Sequence, residues 1–169
     1  QLVREFVKAA EIPTVIDADG LFAWQGFTHE LKGIGHTVIM TPHLGEMAGL
    51  LGVTVSELRS NLINQCRTAA ANWNVILVVK SECTIIVYPD GRIFFTSKGN
   101  AGMATAGSGD VLAGTIAGLM KQTAPEEAPL LGVYRHGAAG DLAAEELGDG
   151  LLAGDILRNL AKARKKLAE

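Results

Sequence analysis

Cysteine is scarce in this chain, with only Cys66 and Cys83 among 169 residues. The two do not share a C-x-x-C spacing, which argues against a disulfide framework or a cysteine zinc site and predicts a reducing compartment. Basic charge is short as well. Fifteen Lys and Arg face eighteen Asp and Glu, for a net charge of -3 and a pI of about 5.8. No positive field is therefore expected to hold nucleic acid or an anionic membrane. The one dense basic run, Arg164-Lys165-Lys166, falls at the end of a predicted helix and complements its dipole. No stretch is long and apolar enough to span a bilayer, and no signal-peptide pattern opens the chain. These absences predict a soluble, cytoplasmic protein.

What is present suffices for one globular domain over 1–169, since 48% of the residues are hydrophobic and a real core is within reach. The chain opens on Gln1 and runs at once into a helical pattern (Leu2, Val3, Phe6, Val7, Ala10), which reads as an internal starting point. Pro13 to Ile16 and Thr37 to Met40 read as short buried strands, with a variable stretch between them. Val53 to Trp73 reads as one long amphipathic helix with Leu58, Leu62, Cys66 and Ala69 at helical spacing. Ser56 and Arg59 do not form a capping box at its start. Val75 to Val79 is a β-branched run with no polar alternation, as a strand covered on both faces must be. Thr84 to Tyr88 and Arg92 to Phe95, joined by Pro89-Asp90-Gly91, read as a hairpin. Helices follow to about Lys121, from about Pro129 to Leu147, and from about Gly154 to Ala168. Buried strands alternating with helices predict a three-layer α/β/α sandwich.

The richest segment is Gly99-Asn100-Ala101-Gly102-Met103-Ala104-Thr105-Ala106-Gly107-Ser108-Gly109-Asp110, which leads into an apolar helix. Glycines let main-chain N–H groups approach an anion closely, and the helix adds its positive N-terminal end. An acid beside such a site points to phosphoryl transfer, where positioning carries much of the catalysis. Read alone, the segment fits equally well as a glycine-rich linker with Asp110 as a helix N-terminal acid.

Three further groups lie at predicted strand exits, where ligands collect in open α/β sheets. Thr41-Pro42-His43-Leu44-Gly45-Glu46 offers His43 to a polar ligand, or is simply a turn with Glu46 on a helix dipole. Lys80-Ser81-Glu82-Cys83-Thr84 offers a lysine point charge to a nucleotide phosphate, or a solvated lysine. Asp17 and Asp19 either face the same cleft or cap the next helix. His29 and His36 lie in loop-like sequence, and His136 reads as a satisfied helix histidine.

Taken together, these segments resemble the carbohydrate-kinase-like NAD(P)H-hydrate dehydratase family of the ribokinase-like superfamily. The resemblance rests on Val15 to Leu21, Thr41 to Glu46, Val78 to Lys80 with Thr84, Gly99 to Gly114, Arg135 to Asp141 and Ala153 to Ile156. It implies a ribokinase-like sandwich whose domain extends further upstream, so that a missing N-terminal half is an expected partner. It also implies a repair enzyme in which ADP or ATP phosphorylates the ring hydroxyl of hydrated NADH or NADPH, and loss of phosphate restores the double bond. By position, Asp110 would act as base and contact the substrate, Gly107, Ser108 and Gly109 would form the anion hole, and His43 would bind the hydrated dinucleotide. Lys80, Ser81, Glu82, Cys83, Thr84 and Gly109 would bind the adenine nucleotide. Mg2+ is expected with the phosphates, without a nameable protein ligand, and a homo-oligomer, for instance a tetramer, is the expected assembly. Ser81 stands where the family has glycine, and Phe22 where it has asparagine. The two alternatives are a ribokinase-like vitamin-precursor kinase that keeps its phosphorylated product and a non-catalytic nucleotide-binding fragment.

Overall fold

The computed structural model describes residues 1–166, which fall into two compact units divided between Phe95 and Thr96. The first unit is built on a five-stranded sheet: β1 (Thr14–Ile16), β2 (Val38–Met40), β3 (Ile76–Val79), β4 (Ile85–Val87) and β5 (Ile93–Phe95). Spatial order follows chain order. β1, β2 and β3 run parallel, with Thr14 opposite Val38 and Met40 opposite Leu77. β3, β4 and β5 pair antiparallel. The sheet is therefore mixed: parallel neighbours need long crossovers, and the antiparallel pairs need only short turns, with Pro89–Gly91 between β4 and β5. Gly91 takes φ +90° there, and the Tyr88 N–H donates to the Arg92 carbonyl. β2, β3 and β4 are buried at every position, which explains their uninterrupted apolar runs.

Helix α1 (Leu2–Ala9) precedes the sheet. The stretch between β1 and β2, read from sequence as variable, holds a short helix, α2 (Asp19–Phe22), and a 3-10 turn, Thr28–Gly33. It is anchored by Leu21, Trp24 and Leu31, all fully buried. The β2–β3 crossover is α3 (Leu44–Leu51), α4 (Val55–Ser60) and α5 (Leu62–Trp73).

The single helix expected over Val53–Trp73 is corrected to two. Asn61 leaves helical geometry at φ −146° and ψ 38°. A capping box does start α4, formed by Thr54 and Glu57: the Glu57 N–H donates to Thr54 Oγ1 at 3.2 Å and the Thr54 N–H donates to Glu57 Oε2 at 2.8 Å. The box lies two residues before the Ser56–Arg59 pair, which forms none.

The second unit consists of α6 (Ser108–Leu119), α7 (Ala128–Leu147) and α8 (Ala153–Lys166), with 3-10 turns at Ala101–Met103 and Gly148–Gly150. α7 packs on both α6 and α8. Small side chains set the spacing. A Cβ on Gly132 would lie 2.6 Å from Ile116 Cγ1, and Ala139, Ala143 and Ala163 form a core with Leu151 and Ile156. Arg164, Lys165 and Lys166 occupy the last turn of α8. The final residues of the helix expected to reach Ala168, Leu167 and Ala168, lie outside the described residues. Among the described residues no helix is long and apolar enough to cross a membrane.

Candidate functional site

In the first unit, chemistry gathers at the carboxyl ends of the parallel strands. Asp17 follows β1, His43 follows β2 and Lys80 follows β3. Pairing continues past the strands as a parallel bridge between His43 and Lys80, and the Lys80 N–H donates to the Pro42 carbonyl at 2.8 Å. The Lys80 ammonium lies 2.8 Å from Asp17 Oδ1 and 3.8 Å from Glu46 Oε2. The lysine expected to reach a phosphate is thus already held by two carboxylates. Asp19 is exposed on α2, so of the two acids only Asp17 joins the cluster. Ala18 between them adopts φ +48°, a conformation unfavourable for a residue with a Cβ, and turns the chain from β1 into α2.

His43 caps α3. Its Nδ1 accepts from the N–H groups of Gly45 at 2.9 Å and Glu46 at 3.2 Å. Glu46 completes the box by accepting the His43 N–H at 2.7 Å. An accepting Nδ1 places the neutral imidazole's proton on Nε2, and that side chain is 60% exposed. The cap therefore leaves an Nε2–H donor on an exposed ring, 3.6 Å from Glu46 Oε1. Gly45 makes room for the ring, because a Cβ there would lie 2.9 Å from His43 Cε1. His29 is exposed, and the His36 Nε2 lies 3.4 Å from Thr14 Oγ1, apart from this cluster.

Ser81 to Thr84 form the turn between β3 and β4. The Ser81 hydroxyl donates to the Cys83 carbonyl at 2.7 Å, so the side chain closes the turn. Glu82 is exposed, and its own N–H, then Arg59, hold its carboxyl below the usual range. Cys83 is exposed, whereas burial pushes the Cys66 thiol up to about 11.

In the second unit the glycine-rich loop adopts two left-handed residues, Gly99 at φ +110° and Gly107 at φ +84°. Gly107 is the N-cap of α6 and brings no side chain to satisfy the first-turn N–H groups; this favours an anion at that end. Asp110 is exposed in the same turn. Not every loop amide points to a ligand. The Gly99 N–H donates to both Asp141 oxygens at 3.2 Å, and the Ser108 N–H donates to the Thr105 carbonyl at 3.2 Å. Gly109 and Asp110 follow Ser108 in the first turn of α6.

Asp141, for which the sequence pattern suggests no role, also accepts from Asn100 Nδ2 at 3.2 Å. His136, expected as a satisfied helix histidine, is one, and its partner is remote in sequence. His136 is buried in α7, with Nε2 3.0 Å from the Ser108 carbonyl. Burial lowers its pKa to about 4, against the raising effect of the Ser108 bond. The available signal was the run His136-Gly137-Ala138-Ala139-Gly140-Asp141, since two glycines inside a helix need a reason.

A profile of the NAD(P)H-hydrate dehydratase family matches residues 1–162. The chain is 43% identical over 170 residues to the bifunctional NAD(P)H-hydrate repair enzyme Nnr of Moorella thermoacetica, covering 99% of this chain and 32% of that protein. Its fold superimposes on the ADP/ATP-dependent NAD(P)H-hydrate dehydratase of Bacillus subtilis, co-crystallised with ATP/Mg2+, with a TM-score of 0.87 and 33% identity. That match covers 96% of this chain and 58% of the Bacillus chain. A ribokinase-like superfamily protein of Enterococcus faecalis matches with a TM-score of 0.79 and 26% identity, over 98% of this chain and 57% of that one. The expected ribokinase-like α/β/α fold is therefore present, and the chain spans about a third to three fifths of the length of these proteins.

Proposed function

The chain belongs to the NAD(P)H-hydrate dehydratase family, and from that premise we propose that it serves in repair of nicotinamide cofactors, by nucleotide-dependent dehydration of hydrated NADH or NADPH. The observation that carries this reading is the start of α6, where a left-handed Gly107 cap opens the helix beside an exposed Asp110. The Asp110 carboxylate accepts the proton of the ring hydroxyl as the hydroxyl oxygen bonds to the terminal phosphorus. The bond from that phosphorus to the nucleotide breaks, and the nucleotide leaves one phosphate shorter. The new ester then departs as inorganic phosphate with loss of a ring proton, which restores the double bond.

Gly107, Ser108 and Gly109 form the anion hole, where preorganised donors would meet developing charge; the Ser108 N–H is already donated to the Thr105 carbonyl, so Gly107 and Gly109 supply its remaining amides. The Nε2–H of His43 holds the hydrated dinucleotide. In the first unit Lys80 to Thr84 bind the adenine nucleotide, the lysine sharing its charge with Asp17 and Glu46; in the second, Gly109 serves nucleotide binding. Among the described residues no group of three or more His, Cys, Asp or Glu side chains forms a metal cage. A magnesium ion bound with the nucleotide phosphates would neutralise phosphate charge. No residue is assigned to it. The reading includes a cytoplasmic location and a homo-oligomer, the latter checked by light scattering.

The test is to incubate the chain with hydrated NADH and ADP or ATP, following reduced-nicotinamide absorbance and inorganic phosphate together. The expected result is recovery of absorbance with one phosphate released per ring restored. Accumulation of a phosphorylated product without phosphate release makes the protein a kinase instead. Nucleotide binding without turnover makes it a binding fragment.

A further inference from the structure

The loop that carries the proposed anion hole is moulded on one short face of α7. Residues 136, 137, 140 and 141 lie on one side of that helix, as spacings of three and four dictate, and each meets a different part of the loop. Asp141 takes the Gly99 N–H on both oxygens and the Asn100 amide on one. Gly137 admits the chain entering the loop: a Cβ there would lie 2.7 Å from Lys98 Cβ and 2.8 Å from the Lys98 carbonyl carbon and oxygen. Gly140 admits Met103, since its Cβ would fall on that side chain. His136 meets the Ser108 carbonyl at the loop's far end. Because a carbonyl only accepts, Nε2 must be the donor in that 3.0 Å contact. The neutral ring that burial enforces carries one N–H, and this bond assigns it to Nε2.

We propose that His136 and Asp141 are positioning residues for phosphoryl transfer, one at each end of the glycine-rich loop. Asp141 fixes where the loop begins by using up the Gly99 N–H. That amide is thereby withdrawn from the anion site, and the work of binding passes to the far end at Gly107–Asp110. His136 fixes that far end by holding the carbonyl of the first residue of α6, two residues before Asp110. Neither side chain touches the reacting atoms in this scheme. Their effect is to keep the helix-heading amides and the Asp110 carboxylate in one geometry, and small displacements of such groups are costly in rate. The role in catalysis rests on the dehydratase reading, whereas the fixing of the loop does not.

The experiment uses the full chain and compares Asp141→Ala, His136→Leu and His136→Gln with the parent. Gln restores a donor near the Nε2 position, and Leu does not. Dehydration kinetics with hydrated NADH and ADP or ATP are measured beside amide hydrogen exchange at Gly99 and through residues 105–110, with thermal melting as the check on folding. A positioning role predicts that Asp141→Ala and His136→Leu lower kcat about tenfold or more while the nucleotide KM stays within about twofold. It also predicts that Gly99 exchanges about tenfold faster in Asp141→Ala, and that His136→Gln recovers most of the kcat. If His136→Leu fails to fold, His136→Gln and Asp141→Ala carry the decision. Unchanged Gly99 protection in Asp141→Ala, kcat within twofold of the parent, or a folded His136→Gln no better than His136→Leu overturns the proposal. A parent chain that does not turn over hydrated NADH defeats the dehydratase reading alone. The exchange rates in the same variants then still decide whether α7 holds the loop.

Discussion

The strand-end cluster of the first unit and the glycine-rich loop of the second are built from opposite materials. At the strand ends, Asp17, His43, Glu46 and Lys80 make the site from charged and polar side chains, delivered by strands and a helix start. At the loop, the useful groups are main-chain amides, and their neighbours are chosen for having little or no side chain. A site made of side chains is tuned by changing charge. One made of backbone is ruined by adding atoms.

The largest test of that contrast is Asp110→Asn, which leaves the loop's shape alone and removes its one reacting carboxylate. Turnover should fall about 10²- to 10⁴-fold with nucleotide affinity largely kept, as read by steady-state kinetics and calorimetry. Unchanged turnover would remove the base from the scheme. Next comes Gly137→Ala, where a single methyl collides with the Lys98 backbone. It should cost about 3 kcal/mol in a denaturant melt, at the upper end for overpacking. Lys80→Met probes the other material, for it leaves Asp17 and Glu46 facing a site without their cation. At 23% and 13% side-chain exposure for Lys80 and Asp17, the loss should be about 2 kcal/mol. Much of it should return in the Asp17→Asn, Lys80→Met double variant if the pair is what matters.

The His136 contact gives a pH signature. Its folded pKa, about 4, lies below the ordinary value of 6.5, so the unfolded chain binds the proton more readily. Stability from this group is full above about pH 6.5 and is lost as the pH falls toward about 4. Between pH 7 and pH 5 the melts should weaken by about 2 kcal/mol, and His136→Gln should flatten that part of the curve. A slope that survives the substitution belongs to another group. The smallest effect is expected at Gly118 of α6, where an added Cβ meets nothing. Gly118→Ala should stabilise by about 0.5–1 kcal/mol, setting the scale against which Gly137→Ala is judged.

Much of this architecture was legible in advance, for reasons that differ by element. β2, β3 and β4 announce themselves because strands buried on both faces carry no polar interruption. The loop announces itself through glycine, and its acid through position. The break at Asn61 did not show, because neither Gly nor Pro marks it and the apolar spacing of α5 continues the phase of α4. His43 as a helix cap was hidden because histidine is not among the usual capping residues. Asp17 and Lys80 are 63 positions apart, so their pairing depends on strand order, which local patterns do not encode. His136 was read correctly as a helix residue, whereas Ser108, expected in the loop, is the first residue of α6; 28 positions apart, the two could not be joined without the packing of α7 on α6.

The glycines of α7 also bear on how the second unit assembles. Gly132, Gly137 and Gly140 stand inside a 20-residue helix, and each costs helix formation about 1 kcal/mol relative to alanine. In isolation such a segment is a poor helix, because tertiary packing supplies most helical stability in proteins. Its partners at those positions are Ile116, Lys98 and Met103, which belong to α6 and to the loop. Scaffold and loop are therefore mutually dependent templates. The loop gains its shape in the same cooperative step that makes the helix beneath it, so a population with α7 formed and the loop still open should be sparse.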